Sequence, residues 1–345
     1  MEKLLEIKEQ VIRFCEEYEL YLKFVYKFVI ALALFCMINS TVGFMEGIST
    51  FPVALLLALV CCLLPQSVTL FAAAALVVLN LYVLSLEVAL TAVLVFVLIF
   101  FLYFRFSPKD GVLFALTPLF FVFHIPYILP IGAGLLRKVH SAAAVACGTI
   151  CYFFLNGIYE NVTALQATTA GSGDVETVKM TITAGQLLTN KEMYFTVIVF
   201  IVSAIVVSGI RKMVIDYAWK VAIVSGALVQ ISGLFVGYLL FDISGKTFGM
   251  IVGNLVAIAL GFVLEFLFMN LDYSRTERVQ FEDDDYYYFV KAVPKKIIAS
   301  SDKAVIEFGG FTPLDKIKGR RKKEELPVSR KEIAEELDID EEFLK

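Results

Sequence analysis

Of the 345 residues, 59% are hydrophobic and only 19% charged, and the mean hydropathy is +0.78. That balance excludes an ordinary soluble domain and predicts a polytopic membrane protein. The formal net charge of −4 averages two unlike regions, because 15 of the 30 Lys and Arg and 18 of the 34 Asp and Glu lie in Asp272–Lys345.

In residues 1–22, Leu4, Ile7, Val11, Phe14, Tyr18 and Tyr21 recur at spacings of three and four with Glu and Lys between them. This pattern predicts an amphipathic helix that lies on the membrane or pairs with another helix. Its charge and its lack of a small-residue cleavage site argue against a signal peptide. Apolar segments follow at Phe24–Gly43, Phe51–Leu64, Val68–Leu86, Val88–Phe104, Val112–Leu136, Ser141–Ile158, Tyr194–Ile210, Val221–Phe241 and Thr247–Leu271. Most approach the roughly 20 residues that a helix needs to cross about 30 Å of hydrocarbon. Pro65-Gln66 and Glu87 leave room only for turns, so the spans beside them are antiparallel neighbours.

Lys and Arg in short loops set the orientation. Lys3, Lys8, Arg13, Lys23 and Lys27 put the N-terminus inside; Arg137, Lys138, Arg211, Lys212 and Lys220 mark further inside loops; the charged tail is also inside. Glu46, Glu87 and Asp242 fall outside. An odd number of full crossings contradicts termini on one side, so one segment enters and leaves by the same face. Phe51–Leu64 qualifies because only 12 residues separate Pro52 from Pro65, about 18 Å of helix. Val112–Leu136 qualifies because Pro118, Pro126 and Pro130 interrupt it. The second choice puts Arg105 and Lys109 inside with Arg137 and Lys138, leaves Lys246 as the one exception, and is preferred.

The expected fold is therefore an all-α polytopic membrane protein, N-in and C-in, with about eight transmembrane helices plus one Pro-broken re-entrant segment. The transmembrane domain covers 23–271, with 112–136 re-entrant or broken and 159–193 an outside loop. Gly226, Gly233 and Gly237, then Gly249 and Gly253, predict close packing of the last two spans on each other or across a homo-oligomer. Residues 272–345 form a cytosolic tail. Its ERVQF, YYYFVKAV and AVIEF runs predict a short β element, and Ser329 with Glu332 opens a final helix.

Nothing in the sequence forms a catalytic constellation, and no cofactor or metal site is expected. The Ser244-Gly245-Lys246-Thr247 run lacks the first Gly of a phosphate loop, and Asp283 to Asp285 lack calcium-loop spacing. The six cysteines read as small apolar residues. His124, Pro126 and Pro130 mark a polar site where broken backbone reaches membrane depth. Asn80, Asn156, Gln230 and Asn254 either line a route or bridge helices, and Glu265 is the one acid within the last span. Lys316, Lys318, Arg320, Arg321, Lys322 and Lys323 suit anionic lipid at the inner face, and with no aromatic residues interleaved they do not suit nucleic acid. Short loops favour a bacterial plasma membrane. Two functions fit: a permease or channel-like subunit, or a scaffold whose N-terminal helix and tail recruit cytosolic proteins to an envelope or secretion assembly.

Overall fold

A computed structural model describes residues 2–45, 47–163, 183–213, 215–243, 245–269, 276–283 and 286–294. The AVIEF run, the polybasic run and the helix expected to open at Ser329 lie outside the described residues. The helices are α1 Glu2–Glu17, α2 Glu19–Val42, α3 Phe51–Leu63, α4 Gln66–Leu84, α5 Leu86–Phe106, α6 Gly111–Val122, α7 Ile128–Leu136 and α8 Ser141–Glu160. They continue with α9 at 183–189, α10 Lys191–Arg211, α11 Ala218–Leu240 and α12 Thr247–Phe268. Strands β1 Glu277–Glu282 and β2 Tyr287–Ala292 form an antiparallel hairpin that pairs Val279 with Val290 and Phe281 with Tyr288.

Among the described residues seven helices, α2, α4, α5, α8, α10, α11 and α12, are long and apolar enough to cross a membrane. Leu90, Leu94, Val97, Leu98 and Phe101 of α5, at helical spacing, are all more than half exposed. A continuous apolar face of this kind is at home in lipid rather than water. Caps fix the helix ends. Ser85 Oγ accepts the Val88 amide at 3.3 Å and starts α5, so one residue turns the chain between α4 and α5. Asn190 Oδ1 accepts the Met193 amide at 3.0 Å and starts α10, with Glu192 in its first turn.

At the N-terminus the helix breaks at Tyr18, ahead of the boundary expected near residue 22, and no Gly or Pro punctuates the junction. Ile7, Val11 and Phe14 keep an exposed apolar face. Lys8 is buried and donates to the carbonyls of Phe266 and Met269, so α1 holds the C-terminal end of α12.

The buried side chains form two cores. One joins α2, α3, α4, α5, α6 and the central part of α8; the other joins α7, α10, α11 and α12, with Val145 of α8. The Pro-rich stretch contributes one arm to each, since α6 packs on α2, α4 and α8 while α7 packs on α10, α11, α12 and α8. The free ends of these arms meet. Asp110, buried at the start of α6, lies 3.5 Å from Arg137 Nε and 3.9 Å from His140 Nε2, both just past the end of α7. Arg211 donates to the Leu135 carbonyl and caps the same end of α7. Between the splayed arms runs an apolar groove of about 400 Å³, walled by Leu113, Leu116, Ile128, Leu129 and Leu264.

Helix α3 behaves differently. Its leading loop bonds to Asn80, whose Oδ1 accepts from Met45 N at 3.1 Å and Ser49 Oγ at 2.7 Å. Its far end meets Lys27, which donates to the Leu64 carbonyl at 3.2 Å. Asn80 lies about 21 Å along α4 from Gln66 at 1.5 Å per residue, so α3 with its leading loop runs antiparallel along most of that helix.

The glycine stripe of α11 packs against α10 rather than α12, since Gly226, Gly233 and Gly237 face Val207, Val199 and Phe195. On α12, Gly253 faces the Tyr127 ring and Gly261 faces Ile223 of α11, whereas Gly249 faces open space. Spacing marks a smooth stripe but does not choose its partner.

Cys15 is exposed, while Cys61, Cys147 and Cys151 are buried. A water-soluble maleimide is expected to modify Cys15 in the folded protein and the buried three only after denaturation. Mass spectrometry reads this directly, and native labelling of Cys147 would contradict the packing of α8.

Candidate ligand cavity

The break between the arms is a helix C-terminal motif with an unusual residue. Beyond α6, His124 N donates to Phe121 O at 3.0 Å and Ile125 N to Phe120 O at 3.0 Å, the paired bonds of a Schellman turn. Such a turn needs a left-handed residue, and His124 supplies it with φ 61°. Glycine is usual there because a side chain costs about 1–2 kcal/mol in this conformation. The imidazole also folds back, its Nδ1 lying 3.1 Å from Val122 O and 3.3 Å from Phe121 O. A carbonyl only accepts, so Nδ1 carries the hydrogen in this arrangement. Pro126 follows and prevents the helix from resuming at once. Pro118 and Pro130 do not make the break. Pro118 lies within α6, and Pro130 is the third residue of α7, where the missing amide has no helical partner to lose.

His124→Gly is expected to keep the turn and raise stability by about 1 kcal/mol, whereas His124→Val lowers it, because only the β-branched side chain is incompatible with the left-handed turn. Thermal melting of the purified variants measures both.

This turn floors a cavity of about 410 Å³. His124, Pro126 and Tyr127 come from the hairpin; Tyr152, Asn156 and Glu160 from α8; Thr196 and Phe200 from α10; Tyr238 from α11; and Gly249 and Met250 from α12. The mouth lies where α8 ends and α10 and α12 begin, as Glu160, Asn190, Glu192 and Lys246 also line it. That is the opposite end of α8 from His140 and Asp110, about 30 Å away over 20 residues.

One wall is aromatic. Phe121 stacks on Tyr152 at 4.4 Å and 15°, and meets Phe153 at 5.7 Å and Phe200 at 6.0 Å. Tyr127 meets Phe200 edge-on at 6.2 Å. The rim carries the charge. Lys246 Nζ bridges Glu192 at 2.8 and 2.9 Å, so the basic residue that defied the inside-loop pattern is matched by a carboxylate. Glu160 Oε1 accepts from Asn156 Nδ2 at 2.8 Å.

Of the residues singled out by sequence, His124, Pro126 and Asn156 meet at this cavity. Pro130 is buried nearby in α7. Asn80 ties α4 to the loop before α3 and lies apart. Gln230 bridges helices: its Nε2 donates to Ser203 Oγ at 2.9 Å, and Ser203 Oγ donates to Gly226 O at 3.1 Å. Asn254 Nδ2 donates within α12 to Met250 O at 2.9 Å. Glu265 lies near the C-terminal end of α12, remote from the mouth, and Lys316, Lys318, Arg320, Arg321, Lys322 and Lys323 are outside the described residues. Glu160, Glu192, Tyr127, Tyr152 and Tyr238 also line the cavity without standing out in the sequence. One signal was available, since Tyr152, Asn156 and Glu160 recur every four residues and so share a helix face.

Apolar outer faces on spanning-length helices define the chain as a multi-pass integral membrane protein. No protein family, curated protein or solved structure matches it.

Proposed function

We propose that the chain is a transport-type subunit, permease or channel-like, in a bacterial plasma membrane, acting without catalysis or cofactor. In this reading α2, α3, α4, α5, α8, α10, α11 and α12 cross the bilayer and α6 with α7 forms a re-entrant hairpin. Both termini are cytoplasmic. Lys109, Arg137, Lys138, Arg211 and Lys212 then share the inner side, as basic loops prefer. One observation carries the proposal: the arms meet at Asp110 and Arg137, while their tip at His124 and Tyr127 floors a cavity at the other end of the bundle. Non-helical backbone beside a polar cavity at membrane depth is how many transporters build a binding site.

The test is uptake into liposomes by the purified protein. Wild type is expected to pass a small solute, and His124→Ala combined with Pro126→Ala to reduce passage strongly. Equal flux in both would remove the hairpin tip from the site. A scaffold role is the second reading, favoured by the β hairpin, where Val279, Phe281, Tyr288 and Val290 share an exposed apolar face. Deleting 272–345 separates the two, because a scaffold loses co-purifying partners whereas a carrier keeps its flux.

A further inference from the structure

We propose that the cavity binds an organic ammonium ion, with Glu160 as its counter-charge and the aromatic wall of Phe121 and Tyr152 as its seat; this rests on the transport-type reading above. Charge balance comes first. Among the described lining residues the side chains that carry formal charge are Glu160, Glu192 and Lys246. Lys246 and Glu192 neutralise each other through a two-point contact. Among the described residues Glu160 makes no salt bridge, and its carboxylate accepts from the neutral amide of Asn156. Among the described lining residues the rim therefore carries one carboxylate without a basic partner, at the exposed Glu160.

The wall points the same way. Aromatic rings make up much of that wall, and an ammonium group over an open ring face gains more when water is excluded. Tyr127 and Tyr238, which interact with each other, add hydroxyl oxygens beside that surface. A metal cation is a poorer match, since hard cations demand several oxygen ligands in a tight shell and the wall offers mostly carbon. An anion would meet the Glu160 carboxylate at the mouth. An ammonium ion clothed in carbon, with one carboxylate facing it, satisfies both features.

The probe is tetraethylammonium, titrated calorimetrically into the detergent-purified full chain, with the neutral triethyl-substituted alcohol 3-ethyl-3-pentanol and benzoate as comparators. Tetraethylammonium is expected to bind at least tenfold more tightly than either. Glu160→Gln is expected to weaken it about tenfold and leave the alcohol unchanged, and Tyr152→Leu to weaken the cation severalfold more than the alcohol. Equal binding of cation and alcohol, or an unaltered affinity in Glu160→Gln, overturns the ammonium assignment. Gly249→Trp, which fills the cavity, tests the parent reading separately. If it abolishes binding of every probe while Glu160→Gln changes none, the cavity stands and the ammonium class falls. If it leaves all binding and flux intact, the cavity reading itself fails, and this inference with it.

Discussion

Gly249→Trp is expected to cut solute flux to below a tenth of wild type without lowering thermal stability. Gly249 is the third residue of α12 and lines the cavity. A Cβ built there meets nothing within 4 Å, so the indole enters open space rather than a packed core. Replacing a helical glycine also removes a conformational cost of about 0.8–1.0 kcal/mol relative to alanine. The change therefore blocks the cavity while the helix holds or gains stability. Four residues on, the outcome reverses: a Cβ at Gly253 lies 2.5 Å from Tyr127 Cε2, so even Gly253→Ala must push the hairpin tip aside. Liposome flux together with a melting curve for each variant separates plugging from unfolding. Full flux through Gly249→Trp would mean that solute takes another path.

Gly148→Val is expected to destabilise the protein by about 1–3 kcal/mol through overpacking, and to reduce ligand binding with it. Pro118 has no amide hydrogen, so the Phe114 carbonyl loses its bond one turn back along α6. Helix α8 comes close at this point. A Cβ on Gly148 lies 2.9 Å from Phe114 O and 2.5 Å from Thr117 Cβ, and Thr117 is pinned by its bond to Leu113 O at 2.7 Å. Valine must drive α6 away from α8, and Phe121, at the centre of the aromatic wall, moves with it. Gly209→Ala is the control, because its Cβ meets nothing within 4 Å. A melting midpoint for Gly148→Val equal to that of Gly209→Ala would contradict this close approach.

Hydrophobicity and proline placement made much of this fold legible in advance. The apolar segments correspond to helices, the Val112–Leu136 stretch is broken around His124, and the ERVQF and YYYFVKAV runs pair as strands. Three prolines looked equivalent in sequence, yet only Pro126 belongs to the break, because the cost of a proline depends on where the helix starts. The cavity was only partly legible. His124 drew attention as an ionisable group, but its left-handed backbone is as prominent a feature as its ring. Glu160, Glu192 and Lys246 lie at the ends of helices far apart in sequence, and their meeting follows from how three helix ends converge. No periodicity within one segment contains that information. The glycine pattern likewise told of close packing but not of which helix supplies the neighbour.

The hairpin topology is tested most directly by single cysteines at Lys109→Cys, Lys138→Cys and Lys246→Cys in a cysteine-free background. Each is exposed, and each is labelled with a membrane-impermeant maleimide in right-side-out and inverted vesicles. A re-entrant α6–α7 hairpin predicts that positions 109 and 138 label from the cytoplasmic side and position 246 from the other side. Labelling of 109 and 138 from opposite sides would make the Pro-broken stretch a full crossing and contradict the account.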